Sequence, residues 1–129
     1  MIYVVKQFLT LAKLFMQPRE KNYLMDMLNA AKLAQDFVAD VNWEAFEIDL
    51  MRQAAVTRQI EIIGEAARRI STETHAAIPN IPWHKIIGMR NRLIHEYEDL
   101  DIETIWNTIQ IALPQLIIVL EKTIETIES

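Results

Sequence analysis

The sequence has no cysteine, only two glycines and only four prolines in 129 residues. The missing cysteine excludes disulfides and thiolate metal sites, as suits a reducing, cytoplasmic setting. Scarce turn formers disfavour a chain of many short strands and favour long periodic helices. There is no His-Glu-x-x-His, no carboxylate cluster at ligand spacing and no glycine loop to cradle a phosphate, so neither metal nor cofactor is expected. The net charge of −5 argues against broad nucleic-acid binding. The apolar start, residues 1–17, is interrupted by Lys6 and Lys13. It is too short and too charged for a membrane span, and it lacks the basic start and cleavage site of a signal peptide. It reads as an N-terminal extension that packs on the body or a partner, or lies outside the fold, ahead of one domain at 18–129.

What is present is a 51% apolar chain, enough for one compact core. Helical spacing runs through 19–40, from Tyr23 to Val41, and Asp40 to Trp43 reads as a turn. A second long helix is predicted over Phe46–Ile70, with Ile48, Ala55, Val56, Ile60, Ile63, Ala66, Ala67 and Ile70 as its buried side. Gly64 lies inside it; a mid-helix Gly costs about 1 kcal/mol relative to Ala, so close approach of a neighbour is expected there. Ser71 caps a short helix to about Ile78, and Pro79-Asn80-Ile81-Pro82 breaks the chain. A third helix starts at Pro82 or Trp83 and ends near Tyr97. Asp101 caps the last helix, 102–127, which Pro114 should kink. That helix is also apolar away from its main stripe, at Ile111, Ile118 and Val119, which predicts a homodimer. Met25, Met27, Met51 and Met89 read as core filler. The fold class expected is all-α, an antiparallel up-and-down bundle of four to five helices.

Charge is unevenly spread. Residues 51–97 hold seven basic against four acidic residues, whereas 98–129 hold one against seven. The basic block contains Arg68, Arg69 and the segment Gly88-Met89-Arg90-Asn91-Arg92-Leu93-Ile94-His95-Glu96-Tyr97. Wound at about 100° per residue, this segment places Ile86, Ile87, Leu93, Ile94 and Tyr97 on one arc with Arg90 at its middle. Asn91 and His95 share its flank. An arginine centred on an apolar stripe is expensive unless it is paired or used.

Two readings of these groups stand side by side. In the first, His95 serves as acid or base. Arg90 then presents a fork of donors to phosphate oxygens, and Asn91 orients His95 or donates to a phosphate. That chemistry suits metal-independent RNA cleavage. Arg90 and His95 are five apart, so on an ideal helix they diverge by about 140°. The long Arg side chain, a local distortion or a partner subunit must bring them together. In the second reading Arg90 pairs with a carboxylate, Glu65 being the natural candidate, and His95 and Tyr97 are structural. His75 reads as a surface residue and His84 as a capping or packing one. His84 and His95 share a face but lie about three turns apart, too far to chelate one metal.

At these residues the chain resembles the HEPN superfamily and, within it, the HepT-like toxin family. The family signature is Arg, four residues, His, one residue, Tyr; here it is Arg90 to His95 to Tyr97, with the polar residue after Arg present as Asn91. Tyr23-Leu24-Met25-Asp26-Met27-Leu28, Ile62-Ile63-Gly64-Glu65-Ala66, Ile81-Pro82-Trp83, Ile105-Trp106 and Leu113-Pro114-Gln115-Leu116 resemble its other segments. The resemblance implies a dimeric helical bundle and a metal-independent endoribonuclease. Arg90, His95 and Asn91 would be its catalytic residues, in a cleft near the dimer axis. It implies the toxin of a type VII-like toxin–antitoxin pair, with RNA as substrate and a minimal nucleotidyltransferase antitoxin as partner. That partner would silence it by transferring AMP to Tyr97. The alternative from the residues is a non-catalytic dimeric module that binds a nucleotidyltransferase or a nucleotide.

Overall fold

A computed structural model describes residues 16–95 and 101–129. The expected extension, but for its last two residues, and Tyr97 therefore lie outside the described residues. Within them the chain is all-α and carries no strand. The elements are α1 (Pro18–Phe37), α2 (Trp43–Glu47), α3 (Leu50–Arg69), α4 (Thr72–Ala77), α5 (Trp83–His95), α6 (Ile102–Asn107), a π-turn (Thr108–Ala112) and α7 (Leu113–Glu128).

Helix starts follow the side chains that can satisfy free amide groups. Asn42, Asp49, Ser71 and Asp101 each accept from a backbone N–H three residues on, at 2.9, 3.0, 3.2 and 2.8 Å. Asp49 is the cap that corrects the expected Phe46–Ile70 helix: α2 stops at Glu47 and a new helix begins at Leu50. The break takes Ile48 off the buried stripe and leaves it 79% exposed. Met51, in the first turn after the break, is likewise exposed rather than core filler. The turn before Trp43 carries Asp40 at φ 61°, a left-handed conformation that Asp tolerates better than most residues.

The core sits where α1, α3 and α7 meet. α1 and α3 run antiparallel, joined at one end by Arg52 Nε donating to Phe37 O (2.7 Å) and at the other by Ser71 N donating to Glu20 Oε1 (2.7 Å). α7 packs antiparallel on α1, with ion pairs Lys21–Glu128 (3.1 Å) and Lys32–Glu121 (3.3 Å) on the rim. Leu24, Met27, Phe46, Val56, Ile109 and Leu120 are fully buried between these elements. Phe46 contacts Trp106, ring centroids 4.9 Å apart, and so ties α2 to α6. Ile102–Glu128 is long and apolar enough to cross a bilayer by length and composition, but its stripe Leu113, Leu116, Leu120 and Ile124 is buried in the bundle.

The expected kink at Pro114 takes the form of the π-turn just before it. Pro114 has no N–H to bond the carbonyl four residues back, and a wider turn relieves the clash of its ring. α5 packs chiefly on α3. Between α5 and α7 remains an apolar groove of about 240 Å3, with Ile60 and Ile63 of α3 among its lining residues and Ile86, Met89, Leu113 and Leu116 among the rest. Ile111 and Ile118 are exposed on the outer side of the last helix, at 62% and 54%.

Candidate active site

The site begins with a missing side chain. A Cβ placed on Gly64 would collide with Cβ and Cγ of Arg90 and would sit 3.1 Å from Ile86 O. Gly64 therefore lets α3 and α5 approach closely, as its mid-helix position led us to expect, and it seats the stem of Arg90 against α3. Gly88, two residues before Arg90 on α5, meets nothing within 4 Å.

Arg90, seated there, has a side chain only 17% exposed. Its Nη2 donates to Glu65 Oε2 at 2.9 Å, and its Nη1 to Asn91 Oδ1 at 2.9 Å. Its Nε is buried without a hydrogen-bond partner among the described residues. The carboxylate partner expected for Arg90 is thus in place. Asn91, expected to orient His95 or to reach a phosphate, instead orients Arg90 through its oxygen, which leaves its amide nitrogen to donate elsewhere. Arg90 and Asn91 are one unit, and Glu65 fixes where it points.

Glu65 serves more than Arg90. Arg68 donates to it from Nη2 (2.9 Å) and Nε (3.3 Å), and Arg69 from Nε (3.0 Å). The pairing was legible in the spacing, because residues three and four apart share a helix face, yet the sequence reading assigned Glu65 to Arg90 alone. Hydrogen bonds from Arg68 and then Arg69 hold the Glu65 carboxyl at about 2, outweighing a smaller upward push from burial; the charges of Arg68 and Arg90 add to the lowering. A carboxyl whose folded value lies below its unfolded one stabilises the fold above the unfolded value, and that contribution is lost as pH falls toward 2. Carbon-detected NMR titration should place the Glu65 midpoint near 2, and Arg68→Gln should move it upward.

His95 is the last residue of α5 and is exposed. α5 is regular α-helix from Trp83 to His95, so no local distortion turns His95 toward Arg90. The reach of Arg90 is meanwhile committed to Glu65. The other histidines stand apart: His75 stacks on Trp83 (centroids 4.2 Å) and bonds Ala67 O at 2.9 Å, more engaged than a surface residue, and His84 is exposed rather than packed.

A buried acid escaped the sequence reading. Glu20 is 4% exposed and bonds Ser71 N (2.7 Å) and the Thr74 hydroxyl (2.8 Å), pinning α1 to the start of α4. Burial pushes its carboxyl upward, but the bonds from Ser71 and Thr74 win and leave it below the usual value. Only its place two residues into α1 hinted at a capping role.

The profile of the ribonuclease HepT-like family matches residues 27–123. A Thermococcus cleftensis protein named "Probable ribonuclease HepT" is 37% identical over 101 residues, 78% of this chain and 92% of its own length. A Methanocaldococcus jannaschii protein named "Putative RNase" is 35% identical over 96 residues, 74% of this chain and 88% of its own. No solved structure matches the chain. The matched residues include Gly64, Glu65 and the whole stretch from Arg90 to His95.

Proposed function

The chain belongs to the ribonuclease HepT-like family, and on that premise we propose that it is a metal-independent endoribonuclease whose active site forms between two copies. The observation that carries this reading is the seating of Arg90: a guanidinium on an apolar helix face, held by Glu65 and Asn91, five residues from the exposed His95 of its own chain. In a two-fold dimer, Arg90 of one protomer meets His95 of the other across a shared cleft. The half-covered apolar groove beside α5 and the exposed Ile111 and Ile118 supply surface for such a contact.

The proposed reaction is attack by a ribose 2′-oxygen on the adjacent phosphorus. The His95 imidazole takes the 2′-hydroxyl proton, the phosphorus–5′-oxygen bond breaks, and the same imidazole, now protonated, gives that proton to the leaving oxygen. Arg90 balances the charge that builds on the phosphorane oxygens. The products are a 2′,3′-cyclic phosphate and a 5′-hydroxyl. A purified chain that leaves single-stranded RNA intact in excess chelator contradicts this reading.

The same reading makes the chain the toxin of a type VII-like pair with a minimal nucleotidyltransferase as antitoxin. The Tyr97 phenol attacks the α-phosphate of ATP, pyrophosphate leaves, and AMP remains on the ring. Phosphates added two residues from His95 exclude an RNA phosphate by occupancy and charge. Incubation with ATP and the partner should raise the intact mass by AMP units, and Tyr97→Phe should abolish the rise. A second reading, a non-catalytic dimeric module, is favoured by the ion pair of Arg90 with Glu65. It predicts no RNA turnover and a partner complex that survives His95→Ala.

A further inference from the structure

Glu65 gathers three guanidiniums, those of Arg68, Arg69 and Arg90, within 2.9 to 3.0 Å of its two oxygens. One carboxylate neutralises one of them, so the cluster keeps an excess of positive charge in a protein of net charge −5. Stability does not account for this: exposed ion pairs contribute about 0–1 kcal/mol each, and one arginine already satisfies the carboxylate while further ones repel each other. The three also differ in exposure. Arg90 is 17% exposed, whereas Arg68 and Arg69 are 51% and 56% exposed.

Donor geometry separates them further. Arg68 and Arg69 both bond Glu65 Oε1, so their guanidiniums are neighbours held by one template. Arg68 uses two of five N–H groups on Glu65. Arg69 uses Nε there and lines the same cleft as Tyr23. Beside them opens a surface cleft of about 190 Å3, lined by Tyr23, Asp26, Arg58, Ile62, Glu65 and Arg69. A pre-oriented Arg69 fork lining an open cleft with an aromatic wall, with Arg68 held beside it on the same carboxylate oxygen, suits a phosphodiester chain, because forked donors match phosphate oxygens and a ring accepts a base.

We infer that Arg68 and Arg69 form a subsite for a backbone phosphate of single-stranded RNA, flanking the phosphate held at Arg90, with Glu65 as the template that spaces the two. This inference rests on the nuclease reading for the identity of the strand. It assigns two arginines of the basic block at 51–97 a role that the Arg90–His95 motif does not use.

The test is the salt dependence of binding to a labelled 12-nucleotide 2′-O-methyl RNA, which has no 2′-hydroxyl to attack. Fluorescence anisotropy should show Arg68→Gln with Arg69→Gln binding at least several-fold more weakly, with an unchanged circular dichroism spectrum and only a small fall in melting temperature from the loss of the two pairs with Glu65. Its slope of log affinity against log salt should flatten by about 0.7, the loss of one phosphate contact on a single strand. Lys32→Ala with Lys122→Ala, on α1 and α7, should leave the slope as it is. An unchanged slope in the double glutamine variant, an equal loss in the lysine variant, or no binding by wild type overturns the subsite. Cleavage of unmodified RNA is followed in parallel. Cleavage with an unchanged slope sinks the subsite alone; Arg68- and Arg69-dependent binding without cleavage sinks the nuclease reading and leaves the subsite standing.

Discussion

RNA cleavage by the His95→Ala variant is expected to run about 100- to 10,000-fold slower than by the wild-type chain, the usual worth of a positioned acid or base. The fold should be untouched, because His95 is exposed at the end of α5 and its removal creates no cavity. Arg90→Ala should lose cleavage to a similar degree, with a second consequence. It leaves Glu65 to Arg68 and Arg69 and opens space beside Gly64, where the Arg90 stem now packs. Stability should therefore fall in Arg90→Ala and not in His95→Ala. Single-turnover cleavage and thermal melts of the two variants separate the chemical from the structural role. A His95→Ala protein as active as wild type contradicts the assignment.

Gly64→Ala is the second large effect, although alanine is ordinarily the better helix residue. Alanine would gain about 1 kcal/mol from helix propensity, but its methyl would meet the Arg90 side chain at Cβ and the Ile86 carbonyl. Neither is the free end of a flexible chain, so α5 must shift away from α3. Overpacking of this kind costs about 1–3 kcal/mol, which outweighs the propensity gain. The same shift moves Arg90, whose position rests on that contact, so cleavage should fall with stability. Gly88→Ala, with nothing within 4 Å in the chain, should instead raise stability by about 0.5–1 kcal/mol. Urea denaturation of both variants checks the contrast; equal effects at the two glycines would refute it.

Much of this was legible in the sequence, for reasons visible at particular residues. Asp101 and Ser71 announced helix starts because their side chains have one favourable use there. Gly64 announced a close contact because nothing else explains a glycine mid-helix. Arg90 announced a polar device because charge on an apolar stripe demands a partner, and Glu65 was findable as that partner. The break at Asp49 went unseen because the apolar spacing continues through Ile48, and periodicity alone does not see a cap. The π-turn was read only as a kink, since a proline shows that the ladder must open but not how. Arg68 and Arg69 converge on Glu65 within one helix face, so their pairing was readable, but its junction with Arg90 needs the α3–α5 crossing. The buried Glu20 needs Ser71 and Thr74, some fifty residues away, and no local pattern carries that.

The account turns on one claim, that Arg90 and His95 act across a dimer rather than within a chain. The most direct measurement mixes the two inactive variants. Arg90→Ala and His95→Ala chains, co-refolded in equal amounts, form mixed dimers in which one of two shared sites holds an intact Arg90 and an intact His95. Single-turnover cleavage of a defined RNA in excess chelator should recover to roughly one quarter of wild type, since half the dimers are mixed and each has one working site. A mixture as inactive as either variant alone, beside an active wild type and with mixed dimers verified by mass, would contradict the shared cleft.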